Sequence, residues 1–274
     1  MQGVFNGDFL PLEDIKISPM SRAYTFADAI YEVVPFIQGR PVALDLHLKR
    51  LLKSCKAIDL DIDILRVQRE IEKLAQDALT NNTGYVYYQI TRGQDRVRNH
   101  LYALDLIPET FGYATITKQT TRIQKAKIVQ DIRWGRCDIK STALLGNIML
   151  MNQANFEGAN EIIMHRDGLV TEAGSSNVFM IMNRKVITPP KESNILAGIT
   201  RELLLKHFSQ DFELLEEACH IDALAEADVV FLTSSTKGIM AIDQIQDNKY
   251  CFNQANSTFV ELKTAFNNFL NTAF

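Results

Sequence analysis

The chain has 274 residues, of which 46% are hydrophobic and 23% charged, a composition typical of a globular protein with about two domains. Its formal net charge of −4 leaves no overall positive field, which argues against nucleic acid as a partner. No apolar run approaches the length of a membrane span, and the first residues lack the pattern of a secretory signal. The four cysteines are scattered without a C-x-x-C pair, so we expect a cytoplasmic protein with free thiols.

Along the chain, runs of helical period alternate with short runs of strand period, which predicts an α/β or α+β fold. Leu44 to Ala57 and Ile64 to Leu79 carry apolar stripes and are predicted helices, the first with Asp45 as its N-cap. Tyr85 to Thr91 alternates between two faces, as a strand does.

A polar, unpatterned stretch at 118–125 is the predicted linker between a smaller N-terminal α/β domain (1–117) and a larger C-terminal domain (126–274). In the second domain, Ser141 is the predicted N-cap of a helix from Thr142 to Glu157. The other predicted elements are a strand (Ile128 to Arg133), two hairpins (Glu161 to His165 with Leu169 onward, and Asn177 to Met182 with Lys185 to Thr188), a helix (Gly198 to Phe208) and a short buried strand (Val229 to Leu232).

Lys140 stands where a predicted strand gives way to a predicted helix, and it is the only lysine between Lys127 and Lys185. Its apolar neighbours, together with Arg133 and Arg136, favour the unprotonated amine that imine chemistry with a carbonyl compound requires. A surface lysine at the start of a helix is the alternative interpretation.

Two stretches are candidate binding sites for an anion. Gly198-Ile199-Thr200 begins a predicted helix, whose first N–H groups and dipole can face a phosphate. Thr233 to Gly238 follows a predicted buried strand and has four hydroxyl residues before a glycine. Each stretch is more often a simple cap or turn. Their occurrence in one domain with a candidate imine lysine indicates a phosphorylated aldehyde as the ligand.

Two further residues have a charge that such a ligand requires. Arg50 lies one helical turn from His47 and can give a dianionic phosphate the fixed positive charge that backbone amides lack. Glu172 lies where a hairpin strand ends at a tight turn, and a carboxylate there can keep a pyridine nitrogen protonated. The alternative interpretation of His47 and Arg50 is a solvated helix face. The alternative for Glu172 is a polar loop residue.

Together these residues resemble the fold-type IV enzymes that use pyridoxal phosphate (PLP), and among them the D-amino-acid transaminases. The resemblance is most specific at Asp131 to Trp134 and at Cys137 to Ser141, and it implies a homodimer with a barrel-like C-terminal domain. The other matching stretches are Asp28 to Val33, His47 to Leu51, Thr91 to Gly93, Thr171 to Phe179, Leu196 to Arg201 and Phe231 to Thr236.

The resemblance also implies a role for each site residue. Lys140 would hold PLP covalently and move protons, and Glu172 would face the pyridine nitrogen. The other cofactor-binding residues that it implies are Arg50, Ser175, Ile199, Thr200, Ser235 and Thr236. No metal site is expected.

The substrate-binding residues follow from two shorter matches. Tyr31-Glu32-Val33 resembles the Tyr-Glu-Val of D-specific members, whereas branched-chain members tend to carry Phe-Glu-Gly there. Arg98-Asn99-His100 resembles an Arg-x-His pair that D-specific members contribute across the dimer, where it grips the substrate carboxylate together with that tyrosine. The spacing from Gly93 to Arg98 is one residue longer than in the family pattern, which makes Arg96 a competing candidate for this grip.

The resemblance implies a transaminase that moves the amino group of a D-amino acid, D-alanine first, to a 2-oxo acid such as 2-oxoglutarate, with ping-pong kinetics. A branched-chain L-amino-acid transaminase or an aminodeoxychorismate lyase of the same fold would share Lys140, Glu172 and Arg50. A PLP-binding protein without turnover is the alternative from another class. In each case we expect small-molecule partners and neither membrane nor nucleic acid.

Overall fold

The computed structural model describes residues 1–117, 124–192, 194–246 and 250–274. The chain folds into two compact units, the first comprising Met1–Gln119, Ile139–Ala143 and Phe274 and the second comprising Thr120–Asp138 and Leu144–Ala273. The predicted linker falls largely on 118–123, outside the described residues, and the predicted domain boundaries stay a prediction. No helix in the described ranges is long and apolar enough to cross a membrane.

The first unit is an antiparallel sheet covered by helices. Its strands are β1 (Gln2–Phe5), β2 (Asp8–Pro11), β3 (Ala29–Ile37), β4 (Arg40–Pro41), β5 (Gly84–Thr91) and β6 (Glu109–Ile116), and its helices are α1 (Arg22–Phe26), α2 (Leu44–Lys56) and α3 (Ile64–Leu79). The strands form one six-stranded sheet in the order β2-β1-β6-β5-β3-β4.

The two longer helices, α2 and α3, pack on one face of this sheet. Side chains of the central strands that point towards the helices, such as Ile30, Val86 and Tyr88, are completely buried, and Ile71 and Leu74 of α3 belong to the same core. The side chains between them point to the other face and are half-buried, as the period of two in a strand requires. The sheet therefore has one closed face and one more open face.

The second unit contains two sheets. Its strands are β7 (Lys125–Gln130), β8 (Glu161–Arg166), β9 (Leu169–Ala173), β10 (Asn177–Met182), β11 (Lys185–Thr188), β12 (Leu214–Glu216), β13 (Val229–Ser234), β14 (Gly238–Ala241), β15 (Gln244–Ile245) and β16 (Tyr250–Cys251), and its helices are α4 (Leu145–Phe156), α5 (Ile199–Phe208) and α6 (Ser257–Ala273).

The sheet orders are β12-β11-β10-β13-β14 and β16-β15-β7-β8-β9, and one apolar core contains side chains of both sheets. Helix α4 packs on β8 and β7, and α5 packs on β13. The predicted mixed α/β class is confirmed. Both five-stranded sheets are open over the described residues, so the barrel-like C-terminal domain is not a closed barrel.

Several predicted elements are confirmed closely. Helix α3 has the predicted bounds, and its N-cap Asp63 accepts hydrogen bonds from the N–H groups of Leu65 and Arg66, both at 3.0 Å. The predicted hairpin of β10 and β11 is also present. Its turn residues Asn183 and Arg184 have φ of 49° and 68°, as the tight turns between antiparallel strands require.

Three predictions at element ends are wrong. Helix α2 is capped by Ala43 in a left-handed conformation, and Asp45 lies in its first turn. Helix α4 begins at Leu145 because Ser141 forms a β-bridge with Ile30 of β3, so Ser141 caps no helix. Strand β7 ends at Gln130 instead of continuing to position 133. The residues that follow it belong to a network of charged side chains, which is described below.

Candidate active site

Lys140 belongs to the first unit and is anchored there through its backbone. Its carbonyl oxygen accepts a hydrogen bond from the N–H of Tyr31 at 3.0 Å, and its own N–H donates to Oγ of Ser54 on α2 at 3.2 Å. Its side chain is half-buried, and Nζ lies 4.2 Å from the centre of the Tyr31 ring. No carboxylate of the described chain forms a salt bridge with this amine. The structure therefore fixes the position of Lys140 and leaves its amine without a salt bridge to a carboxylate.

Glu32 lies on the opposite face of β3 from Tyr31 and binds two side chains of α2. Arg50 donates from Nε and Nη2 to the two carboxylate oxygens of Glu32, at 2.7 and 2.9 Å. His47 Nδ1 lies 2.8 Å from Glu32 Oε2. Glu32 and His47 are only 1% and 0% exposed. The interpretation of His47 and Arg50 as a solvated helix face is therefore wrong.

The charges in this cluster follow from its burial and its contacts. Burial alone would raise the pKa of Glu32, but Arg50 and His47 hold it well below its ordinary value. Burial lowers the pKa of His47 in spite of the adjoining carboxylate. At neutral pH, a Glu32 carboxylate thus fixes the Arg50 cation in orientation, and a neutral imidazole donates to the same carboxylate.

The predicted substrate-binding residues of the first unit are only partly brought together. Tyr31 lies beside Lys140, but Arg98 and His100 lie in an exposed loop against the ring of Phe26, at 4.6 and 5.4 Å. Within the described chain, neither of them contacts Tyr31. The competing Arg96 forms an exposed salt bridge with Asp105 at 3.3 Å.

Glu172, near the end of β9 in the second unit, is buried and accepts hydrogen bonds from several groups. Arg133 Nη1 donates to Glu172 Oε1. Glu172 Oε2 accepts from Asn177 Nδ2 at 3.3 Å and from the backbone N–H of Leu196 at 3.2 Å. A charged acceptor with these donors is fixed as an oriented carboxylate. The interpretation of Glu172 as a polar loop residue is wrong, because it is a buried residue of β9.

Arg133 connects Glu172 to a second buried acid, Asp131. Arg133 Nε and Nη2 donate to Asp131 at 2.9 and 2.8 Å, and Arg166 Nε lies 3.2 Å from the same carboxylate. Burial alone would lower the pKa of Arg133, but the hydrogen bonds and charges of Asp131 and Glu172 raise it. The expectation that Arg133 and Arg136 act on Lys140 is therefore not supported, because Arg136 likewise pairs with a carboxylate, that of Asp138, at 2.9 Å.

The two candidate anion sites both lie in the second unit. Helix α5 begins after Gly198 without a side-chain cap, and its first residues Ile199 and Thr200 are buried. A Cβ at Gly198 would lie 2.1 Å from Asn177 Oδ1, so only glycine permits this close approach. Ser235 and Thr236 form the turn between β13 and β14, beside the strand on which α5 packs.

The residues present fit the chemical groups of PLP. An amine without a carboxylate partner suits its aldehyde, and an uncapped helix N-terminus near hydroxyl residues suits its phosphate. In the second unit, the hydroxyls of Ser176 and Thr233 are buried without a hydrogen-bond partner among the described residues, as expected of groups that face a polar ligand. Ser175, in the turn after Glu172, is exposed.

Comparison with known proteins places this chain in a family. Residues 29–245 match the family described as amino-transferase class IV. This chain belongs to that family. Class IV amino-transferases are fold-type IV enzymes that depend on PLP, so the resemblance seen in the sequence is confirmed, and the chain is an aminotransferase.

The chain is also similar to individual members of the family. It is 34% identical to a D-alanine aminotransferase of Bacillus licheniformis, over 89% of this chain and 88% of that protein. It is 36% identical to a D-alanine aminotransferase of Listeria monocytogenes, over the same shares of the two chains. A branched-chain amino acid aminotransferase from Escherichia coli has the same fold, with a TM-score of 0.87 and 19% identity over 98% of this chain and 94% of that one.

The sequence did not predict the structural roles of several residues that organise the site. The missed residues are Glu32, Ser54, Asp131, Arg133 and Asn177. Asp131 and Arg133 stand two positions apart before Lys140, and an Asp-x-Arg pair of this kind is a signal of a local ion pair. The role of Ser54 has no comparable signal, because its partner Lys140 is 86 positions away. Asn177 lies five positions after Glu172, but its second partner, Leu196, is 19 positions further on.

Proposed function

We propose that this chain is a PLP-dependent transaminase that moves the amino group of a D-amino acid, with D-alanine as the first candidate, to a 2-oxo acid such as 2-oxoglutarate. The observation that carries the proposal is Lys140, whose backbone is fixed by β3 and α2 and whose amine no carboxylate neutralises. The names of the Bacillus and Listeria relatives support the choice of a D-amino acid. The reaction would take place on free amino acids in the cytoplasm.

Each part of the cofactor has residues of suitable chemistry. Lys140 would hold the aldehyde carbon, and Glu172 would pair with the pyridine nitrogen. The phosphate would be bound by Arg50 and by the N–H groups at the start of α5. The remaining residues of the phosphate site would be Ser235 and Thr236, with Ser175 near the ring.

Proton transfer would be carried out by Lys140 of the first unit. When bound, PLP supplies a ring that withdraws electrons from the α-carbon of the substrate. Lys140 Nζ takes the α-proton of the amino acid and holds it as an ammonium group. The Tyr31 ring, 4.2 Å away, stabilises that ammonium form by a cation–π contact and restricts where Nζ can lie. Glu172, held by Arg133, keeps a negative charge available for a protonated ring nitrogen.

The substrate carboxylate would be bound by residues of two subunits. Arg98 and His100 lie in an exposed loop and do not contact Tyr31 in their own chain, which is the arrangement expected if they act in the site of a partner subunit. We therefore propose a homodimer in which Tyr31 of one protomer and the Arg98 loop of the other bind the carboxylate. Arg98 can bind it with two parallel hydrogen bonds, and His100 adds another donor.

The test locates the lysine that binds PLP covalently and compares the rates with different amino acids. The protein is incubated with PLP, reduced with borohydride and digested, and we expect the cofactor on the peptide that contains Lys140. The Lys140→Ala variant should lose this adduct, and its rate with D-alanine should fall by about a hundred- to ten-thousandfold. Lys127→Ala, which removes a lysine that pairs with Glu157, is the matched control and should retain both.

Two results would contradict the proposal in different ways. An adduct on another lysine, or none, would remove the assignment of Lys140 and with it the transaminase mechanism. Faster conversion of L-leucine or L-glutamate than of D-alanine would leave the transaminase in place but remove the D-specific part, in favour of the branched-chain enzymes that share this fold.

A further inference from the structure

One face of the sheet in the first unit carries a row of aromatic rings that begins at Lys140. Lys140 Nζ lies 4.2 Å from the centre of the Tyr31 ring. Tyr31 stacks on Tyr87 with ring centres 5.6 Å apart and 26° between the planes, and Tyr87 stacks on Tyr113 at 5.4 Å and 27°. Phe111 packs beside Tyr87 and Tyr113 at 6.4 and 5.9 Å. The amine therefore stands at one end of a continuous aromatic surface.

This aromatic surface carries no formal charge. Strand pairing places Val33 beside Tyr87 and Gln89 beside Tyr31. The Tyr87 hydroxyl donates to Gln89 Oε1 at 2.7 Å, which fixes the ring. Burial raises the pKa of the Tyr87 and Tyr113 hydroxyls, so both side chains are neutral at physiological pH. At Tyr31, Tyr87 and Tyr113 a ligand would meet aromatic carbon and neutral hydroxyl groups, whereas Glu109, two positions before Phe111, places a carboxyl group on the same face of β6.

The same surface remains partly open, unlike the other face of the sheet. Val86 and Tyr88, whose side chains point towards α3, are completely buried. The rings of Tyr31, Tyr87 and Tyr113, on the opposite face, are half-buried. Part of the aromatic surface next to the lysine is thus accessible to a ligand.

We propose that Tyr87 is a specificity-determining residue, whose ring contacts the side chain of the amino-acid substrate and favours an aromatic side chain such as that of phenylalanine. The inference rests on the proposed function, because it needs the substrate amine at Lys140. A side chain that extends from an α-carbon near Nζ along the sheet meets Tyr31 first and Tyr87 next. Contact between rings adds affinity beyond the area that it buries.

The experiment measures the ratio of kcat/KM for D-phenylalanine to that for D-alanine, with PLP-loaded protein. We expect the Tyr87→Ala variant to lower this ratio about tenfold, since it removes one ring contact from the aromatic substrate. Tyr87→Phe keeps the ring and should keep the ratio within about twofold. Tyr85→Ala is the matched control: Tyr85 is the same residue type on the same strand and face, but it pairs with Pro35, further from Tyr31, and should leave the ratio unchanged.

A binding measurement gives a second readout that needs no turnover. By calorimetry, the PLP-loaded wild type should bind 3-phenylpropionate more tightly than propionate, and Tyr87→Ala should lose about tenfold of this preference. If D-alanine reacts but D-phenylalanine does not, or if the ratio is the same in Tyr87→Ala, this inference is overturned while the proposed function stands.

Two further outcomes separate the remaining possibilities. If the wild type reacts with neither amino acid after loading with PLP, the proposed function fails, and the inference fails with it. If Tyr87→Ala and Tyr85→Ala both lower the sedimentation mass and both change the ratio, the aromatic surface is an interface with a second copy of the chain, and the role of Tyr87 in specificity is overturned.

Discussion

The buried acids of this chain differ in how their charge is compensated. Glu32 is bound by Arg50, and Asp131 is bound by Arg133, so burial does not prevent either from ionising. Glu161 is equally buried, but Oε1 accepts only two backbone N–H groups, at 3.0 and 3.1 Å, and Oε2 has no partner among the described residues. Burial accordingly raises the pKa of Glu161 above its ordinary value. Glu32 and Asp131 are therefore charged in the folded protein. Glu161 is accommodated in the folded protein at a lower cost in free energy when it is protonated than when it is ionised.

The Glu161→Gln variant should therefore change stability in a pH-dependent way. A carboxyl whose pKa is raised on folding stabilises the protein fully below the pKa of the unfolded chain, and this contribution is lost as the pH rises through the folded pKa. Glutamine keeps the acceptor oxygen and cannot ionise. Relative to wild type, we therefore expect the free energy of unfolding of the variant to rise between pH 4.5 and pH 8.

Urea unfolding at the two pH values measures this difference. Glu226→Gln changes an exposed glutamate and is the control, for which the difference from wild type should not depend on pH. A variant of Glu161 that behaves like this control at both values would show that Glu161 is ionised at no cost in the folded protein.

The Arg133→Met variant tests the ion pairs that hold Glu172. The side chain of Arg133 is only 8% exposed and binds two buried carboxylates, so its removal leaves both without their main cation. We expect a loss of about 3 kcal/mol in the free energy of unfolding. The measurement is urea unfolding of the protein without PLP, followed by the fluorescence of Trp134, which stands next to this arginine and is the only tryptophan.

Arg136→Met is the matched control, because Arg136 has the same kind of bidentate partner in Asp138 but is 54% exposed. An exposed pair of this kind contributes little, so the control should unfold like the wild type. If both variants lose the same amount of stability, the burial of Arg133 has no energetic consequence.

At the same scale, the sequence predicts candidate site residues but not the residues that hold them. Lys140, Arg50 and Glu172 are predicted because their residue types suit a phosphorylated aldehyde and because their stretches resemble those of the fold-type IV enzymes. The function of Glu32 depends on α2 packing over β3, and that of Arg133 depends on a carboxylate 39 positions away. Such pairs form only after the chain has folded, so a local pattern does not reveal them.

At the scale of elements, the segment around Lys140 is fixed by a strand and a helix at once. Tyr31 N–H and Thr142 N–H form hydrogen bonds that join the segment to β3, and Ser54 of α2 accepts the Lys140 N–H. Ser54 is 2% exposed, so the Lys140 N–H has no water to replace this acceptor. The position of the lysine is therefore set by the packing of α2 against the sheet.

The Ser54→Ala variant should loosen this segment. Removing the acceptor leaves a buried N–H unsatisfied, at a cost of about 1 kcal/mol, which corresponds to roughly fivefold faster exchange of the Lys140 amide hydrogen. Hydrogen exchange with mass spectrometry over peptides that contain residues 139–142 measures the rate. Thr80→Ala removes an exposed hydroxyl that bonds within α3 and should leave these peptides unchanged. Equal rates in wild type and Ser54→Ala would show that β3 alone holds the lysine.

Most elements could be predicted from periodicity, because α3 and the β10–β11 hairpin are stabilised by local features, an N-cap and a tight turn. The start of α4 could not be predicted in this way. Ser141 and Thr142 have residue types that suit a helix N-terminus, but their bridge and hydrogen bond to β3 join them to the sheet of the first unit instead of to the helix. A long-range contact there overrides the local preference.

At the scale of the whole molecule, the loop that carries Arg98 and His100 presents apolar side chains to solvent. Leu101, Leu104 and Ile107 are 81%, 97% and 81% exposed. Arg22, itself only 4% exposed, donates to the carbonyl oxygens of Asn99 and His100 and so fixes the backbone of this loop. A fixed and exposed apolar loop is typical of a surface that a partner covers.

The Leu104→Lys variant tests the homodimer and the shared site together. We expect sedimentation equilibrium to give about twice the chain mass of 31.0 kDa for the wild type, and the variant to dissociate at least about tenfold more readily, since a lysine there must lose its water on association. At concentrations where the variant is monomeric, its activity with D-alanine should fall as well, because Arg98 and His100 would then be absent from the site of the other protomer. Leu65→Lys, at a 63% exposed position of α3, is the control and should remain dimeric and active. A wild type that sediments as a monomer and still converts D-alanine would show that one chain forms the complete site.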